Sequence, residues 1–150
     1  MKLRVAMEVL NRYESHLLNT GAQALAFVEA FCSRHAIGHD DVLRLVLVAE
    51  ELFTNAVEHG RAGDADAPIR LELAHEPGRL QLFIEDSAPA FDPLAQVRDS
   101  APDLDTEIDA RRIGGLGLVL VAQLAVEARY AREQGCNRLW ITLAIAAPPR

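Results

Sequence analysis

The chain has 150 residues, half of them hydrophobic, which is enough for one packed core spanning residues 1–150 and too little for two. Its formal net charge is -7 and its pI about 5.2, so the surface as a whole repels a polyanion, and nucleic acid is not an expected partner. No apolar run approaches the roughly 20 residues that span a bilayer, and Met1-Lys2-Leu3-Arg4-Val5 lacks the apolar core of a secretory signal, so no membrane is expected. Cys32 and Cys136 stand alone, with no second thiol at metal-binding or redox spacing. Free thiols in a reducing, cytoplasmic setting are the expectation.

Residues 2–9 alternate between Leu3, Val5, Met7, Val9 and mostly polar neighbours, which predicts a half-buried strand. Asn19-Thr20 then offers a helix cap. The helix is expected to run to about Ala36 on an apolar stripe of Leu25, Val28, Phe31 and Cys32, with Gly38 as its terminator. Asp40 or Asp41 is expected to cap a second helix ending near His59. There Val42, Leu45, Val46, Ala49, Leu52, Phe53 and Ala56 recur at intervals of three and four. Residues 61–68 read as a polar loop. Ile69, Leu71, Leu73 and Leu80, Leu82, Ile84 flank Glu76-Pro77-Gly78 as an antiparallel hairpin.

From Asp92 to about Ile113 the chain is acidic and aperiodic, a length that suits a lid or binding loop. Gly114-Gly115-Leu116-Gly117 opens a third helix, Leu118 to about Ala125. A last hairpin, Val126–Ala131 and Asn137–Ile145, turns at Glu133-Gln134-Gly135. The order β-α-α-β-β-lid-α-β-β predicts an α+β two-layer sandwich with helices on one face of a mixed, mostly antiparallel sheet.

Three clusters carry possible chemistry. On the second helix Arg44, Glu51, Asn55 and Glu58 share a stripe bordered by His59. Glu51 and Asn55, four apart, sit one above the other. A carboxamide oxygen suits Mg²⁺, and a carboxylate can take a proton from an attacking hydroxyl. Asp86 ends a strand, where its carboxylate can accept from an amino group such as adenine's. The glycine run meets a helix N-terminus, where backbone approach and the helix dipole favour phosphate. Taken singly, each is also what a solvated helix face, a plain turn or a flexible loop would show.

In this order the three resemble the N, G1 and G2 boxes of the GHKL ATPases. The run Ala49-Glu50-Glu51-Leu52-Phe53-Thr54-Asn55-Ala56-Val57-Glu58-His59-Gly60 is similar to the version in the anti-sigma-factor serine kinases. So are Phe91-Asp92-Pro93, Gly114-Gly115-Leu116-Gly117-Leu118, and the ending Tyr130-Ala131-Arg132 through Asn137-Arg138-Leu139. The resemblance implies the Bergerat-type ATP-binding fold with ATP and Mg²⁺ as cofactors. Glu51 would be the general base, Asn55 the magnesium ligand and Asp86 the reader of adenine. His59, Ala88, Arg112, Gly114, Gly115, Leu116, Gly117, Leu118 and Asn137 would surround the nucleotide, with Arg111 beside Arg112 at the lid's end.

The resemblance also implies a serine/threonine protein kinase in a partner-switching module. Its substrate would be a STAS-type anti-sigma-factor antagonist, its other partner a sigma factor or another regulator, and a homodimer is compatible with it. The alternative is an ATP-binding module that sequesters a partner without phosphorylating it. One departure stands out: Ala88 occupies a place where the G1 box usually has glycine. If that position needs positive φ, alanine costs on the order of 1 kcal/mol there.

Overall fold

The computed structural model describes residues 13–60, 67–95 and 115–146. In chain order they form β1 (Tyr13–Leu18), α1 (Gly21–Arg34), α2 (His39–Gly60), β2 (Ile69–Glu76), β3 (Arg79–Asp86), α3 (Gly115–Leu124), β4 (Ala125–Glu133) and β5 (Cys136–Ala144). The five strands make one sheet in the order β1-β2-β3-β5-β4, and every pairing among the described residues is antiparallel. The helices lie on one face, as the α+β two-layer reading expects.

Local chemistry accounts for the joints. Thr20 accepts from the Gln23 N–H while the Gln23 side chain accepts from the Thr20 N–H, a complete capping box that starts α1. The helix stops two residues before the expected place. Ile37 N–H donates to Cys32 O and Ala36 N–H to Ser33 O, and Ala36 itself takes the left-handed φ of 53°. Gly38 is therefore not the terminator; its carbonyl receives the Val42 N–H at the start of α2. Between β2 and β3 Pro77 precedes Gly78, whose φ of 84° is the type II requirement. Between β4 and β5 Gln134 and Gly135 both have positive φ, the type I′ pattern that suits a two-residue hairpin.

Two expectations for the helices need correction. Asp41 lies inside the first turn of α2 and points back to the chain's C-terminal side, where it holds Arg44 and the Ala146 N–H. Leu25 is exposed; the buried stripe of α1 is Ala24, Phe27, Val28, Phe31 and Cys32. The strand expected over 2–9 lies outside the described residues. The first described strand, Tyr13–Leu18, carries no apolar alternation because its inner positions are Glu14 and His16. These meet Arg34 and His35 at the end of α1 and the ring of Phe27.

The core is the inner sheet face against one side of α1, α2 and α3. Ile69, Leu71 and Leu73, then Leu80 and Leu82, then Ile141 and Leu143 pack on Phe31, Leu45, Leu52, Phe53, Leu118 and Val121. Burying a side chain of this size contributes roughly 1.5–3 kcal/mol. Cys32 joins this core and Cys136 is half-buried, both as free thiols; burial first, and then Glu29, pushes the Cys32 thiol up to about 11.

Candidate nucleotide site

The site begins where the core's alternation runs out. Along β3 the inward residues are Leu80, Leu82, Ile84 and then Asp86; along β5, read backwards, they are Leu143, Ile141, Leu139 and then Asn137. The register pairs Asp86 with Asn137, so two polar side chains replace the apolar pair at this end of the inner face. The turn of α2 bearing Asn55 lies above them. Asn55, Asp86 and Asn137 line one cleft, walled by Leu52, Ala56, Ile84 and Leu139 and rimmed by Phe91, Pro93 and Tyr130.

Asn137 is the hub and is nearly buried, at 6% exposure. Its amide nitrogen donates to Asp86 Oδ1 at 2.9 Å and to the Pro89 carbonyl at 3.0 Å. Its amide oxygen accepts from the Phe91 N–H at 3.1 Å and from the Tyr130 hydroxyl. Asp86 Oδ1 also accepts from the Ala88 N–H at 3.1 Å, and Arg132 donates to the Ala88 carbonyl. The loop after β3 is thus fastened to the sheet end by Asn137 and Arg132. A buried network satisfied in this way holds its members in one arrangement.

Several groups aimed at the cleft keep free capacity. Among the described residues, neither Asp86 Oδ2 nor the Asn55 carboxamide makes a hydrogen bond. The cleft's free volume is about 30 Å³, well below the roughly 300 Å³ at which ligand pockets begin.

Glu51 lies one turn before Asn55 on α2. Its carboxylate packs directly on Gly117 in the first turn of α3: a Cβ added at Gly117 would fall 2.0 Å from Glu51 Cδ and 2.2 Å from both oxygens. Burial first, then the charges of Glu58 and Glu50, raise the Glu51 carboxyl above the ordinary glutamate value. Gly117 is not in the left-handed region, so what the position requires there is space.

The structure thus brings Glu51, Asn55, Asp86, Asn137 and Gly117 to one end of the fold. It does not bring every expected residue there. Ala88 keeps a negative φ, so the strain considered for it does not arise, and it serves the site through its backbone rather than the cleft wall. Leu118 is a core residue, 2% exposed. Arg44 lies toward the other end of α2, donating to Asp41 and to the Ala144 carbonyl, and takes no part in the cleft. Gly115 opens α3, followed by Leu116, and His59 lies in the last turn of α2. Arg111, Arg112 and Gly114 lie outside the described residues. Tyr130, Phe91 and Arg132 carry cleft or loop contacts that no role assigned from the sequence covers; period two along β4, facing Leu139 and Asn137, was the available signal for Tyr130 and Arg132.

Residues 15–143 match the histidine kinase-like ATPase domain. Among curated proteins the chain is 26% identical to the serine-protein kinase RsbW of Listeria monocytogenes, over 73% of this chain and 71% of that one. It is 29% identical to the serine/threonine-protein kinase BtrW of Bordetella bronchiseptica, over 82% and 84%. Among solved structures it is similar to the SiaB–SiaC complex of Pseudomonas aeruginosa, with TM-score 0.65, 13% identity, and coverage of 96% of this chain and 97% of that one. It is also similar to the RsbU and RsbW domains of a Mycobacterium tuberculosis protein, with TM-score 0.63 and 20% identity; the match covers 92% of this chain and only 34% of that longer one. The fold, the order of the boxes and the match along nearly the whole chain place it in one family: the chain belongs to the histidine kinase-like ATPase domains.

Proposed function

We propose that this chain is an ATP-dependent serine/threonine protein kinase acting as a cytoplasmic anti-sigma factor in a partner-switching module. Its phosphoacceptor is a STAS-type antagonist, and its second partner is a sigma factor or a comparable regulator. Homodimerisation belongs to the same proposal. The observation that carries it is the convergence of three separate chain segments. The Glu51–Asn55 turn, the Asp86–Asn137 pair and the first turn of α3 meet around one end of the sheet.

The residues suit the nucleotide on their donor chemistry. Asp86 Oδ2, with no hydrogen bond among the described residues, would accept from the adenine amino group, with Ile84, Leu139, Leu52 and Ala56 as apolar walls. The free carboxamide oxygen of Asn55 is a hard ligand suited to Mg²⁺. When bound, ATP with Mg²⁺ supplies the transferable phosphoryl group. By the family pattern Gly114, Gly115 and Gly117, with Leu116, Arg112 and His59, would form the phosphate side of the site, where backbone N–H groups and a helix N-terminus favour negative charge.

Glu51 takes the proton of the partner's serine hydroxyl as its oxygen bonds to the γ-phosphorus. The bond to the β–γ bridging oxygen breaks, and ADP is the leaving group. Such a transfer depends mostly on positioning and charge neutralisation, and a base adds typically 10²–10⁴-fold. Because burial and then Glu58 and Glu50 raise the carboxyl's pKa, transfer should fall on acidification at a higher pH than an ordinary glutamate would dictate.

The direct test is incubation of the purified chain with γ-labelled ATP, Mg²⁺ and a STAS protein encoded beside it. Phosphoserine or phosphothreonine on that protein is expected. ATP binding without any transfer would favour the sequestering module instead.

A further inference from the structure

Two of the boxes meet at a carboxylate and a missing side chain. Glu51 Cδ and both carboxylate oxygens occupy the space a Cβ on Gly117 would need, at 2.0 and 2.2 Å. Gly117 stands inside α3, where alanine is ordinarily the better helix former, and its φ asks for no glycine. The backbone is therefore indifferent to alanine, and the helix would gain from it. The neighbour that excludes it is Glu51. No hydrogen bond to a described residue holds that carboxylate; Asn55, one turn on, faces the cleft and makes none to it. Among the described residues, the surface it packs on is the bare Cα of Gly117.

We infer that Gly117 is a positioning residue for Glu51: the gap left by its absent side chain is the seat that fixes the carboxylate between α2 and α3. The inference rests on the reading of Glu51 as the proton acceptor, and it gives the last glycine of the run a task separate from phosphate binding. It also ties the base to α3. Leu118 and Val121 anchor that helix in the core, so the carboxylate is indexed to a fixed element rather than left to its own rotamers.

The test is Gly117→Ala in the full chain, read in three ways. The Glu51 carboxyl, followed by carboxyl-carbon NMR, titrates above the ordinary glutamate range in the parent. In G117A it shifts down toward that range, because the added methyl expels the carboxylate toward water. Single-turnover transfer at saturating ATP falls about 100-fold, the scale of a misplaced base and separate from any change in ATP affinity. In a Glu51→Ala background the carboxylate that meets the new Cβ is gone. There G117A changes the remaining rate and the thermal midpoint little.

An unmoved Glu51 titration in G117A, or an equal loss in both backgrounds, overturns the inference. A loss confined to ATP affinity does so as well, since it leaves Gly117 with its phosphate role alone. If G117A alone fails to fold, recovery in the E51A background supports the seat and no recovery overturns it. The kinase reading fails separately: Glu51→Gln with transfer intact removes the base, yet leaves the Glu51 titration in G117A as a test of the seat.

Discussion

The two ends of the sheet treat their buried polar groups differently. At the end where β5 finishes, Asp41 is 8% exposed and both its oxygens are engaged, Oδ1 with Arg44 and Oδ2 with the Ala146 N–H at 3.2 Å. Arg44 also donates to the Ala144 carbonyl. At the other end Asn137 is just as buried and fully engaged, but Asp86 Oδ2, the Asn55 carboxamide and the Glu51 carboxylate around it are without hydrogen bonds among the described residues. A closed network is a fastening; on the function proposed above, the groups left open at the other end are the ones a nucleotide would engage.

That contrast is tested hardest at Glu51. Glu51→Ala should lower phosphoryl transfer by roughly 10²–10⁴-fold and leave ATP affinity within a few-fold, as expected of a group that acts only on the transferring proton. Equal losses in rate and affinity would make Glu51 a nucleotide ligand and blur the division between its turn and Asn55. Next comes Asp86→Asn. The amide keeps an oxygen for Ala88 and Asn137 but can turn an NH₂ toward the adenine amino group. ATP affinity should fall about 10- to 100-fold by calorimetry, the scale of a hydrogen bond to a charged group, with the thermal midpoint of the free protein little changed.

Two further substitutions separate the ends by stability. Asp41→Ala leaves Arg44 and the Ala146 N–H short of a partner and should cost about 1–3 kcal/mol, with ATP affinity unaltered. At this chain length that is about 2–4 °C per kcal/mol in thermal midpoint. Asn137→Ala should cost a similar amount and also weaken ATP, because it releases the loop at Pro89 and Phe91 that frames the cleft. If Asp41→Ala weakened ATP as much as Asn137→Ala, the two ends would not be functionally distinct.

Much of this division is legible in the residues. Period two along Leu80, Leu82, Ile84 delivers Asp86 to the inner face, and four-residue spacing on a core-packed helix puts Glu51 beside Asn55. The cap at Thr20 and both hairpin turns follow from side-chain and glycine chemistry. What stays hidden depends on contacts far apart in sequence. Arg44 shares a helical stripe with Glu51 but is claimed by Ala144, one hundred residues on. β1 escapes notice because a tertiary cluster around His35, not an apolar face, holds its inner side. Ala88 looks like a defect beside the usual glycine until its ordinary φ is seen, and no spacing in the sequence announces the carboxylate packed on Gly117.

The smallest expected effect concerns the stability cost of keeping Glu51 where it is. Its folded-state pKa is raised, chiefly by burial and then by Glu58 and Glu50, so the folded chain holds this proton more tightly than the unfolded chain does. The favourable contribution is complete below the ordinary glutamate range, about pH 4, and is lost as pH climbs through the raised value. At neutral pH the ionised carboxylate therefore works against folding, and Glu51→Gln, nearly the same shape, should melt slightly above the parent while being inactive in transfer. The gap should close as the pH falls toward about 4, where the parent's own carboxyl is protonated. Asp41→Asn offers the contrast: it gives up a charged partner of Arg44 and should melt below the parent at neutral pH. A Glu51→Gln advantage that persisted unchanged from neutral to acid pH would mean that shape rather than charge is what the site strains against, and that the turn of α2 at Glu51 is no more poised for chemistry than the turn at Asp41.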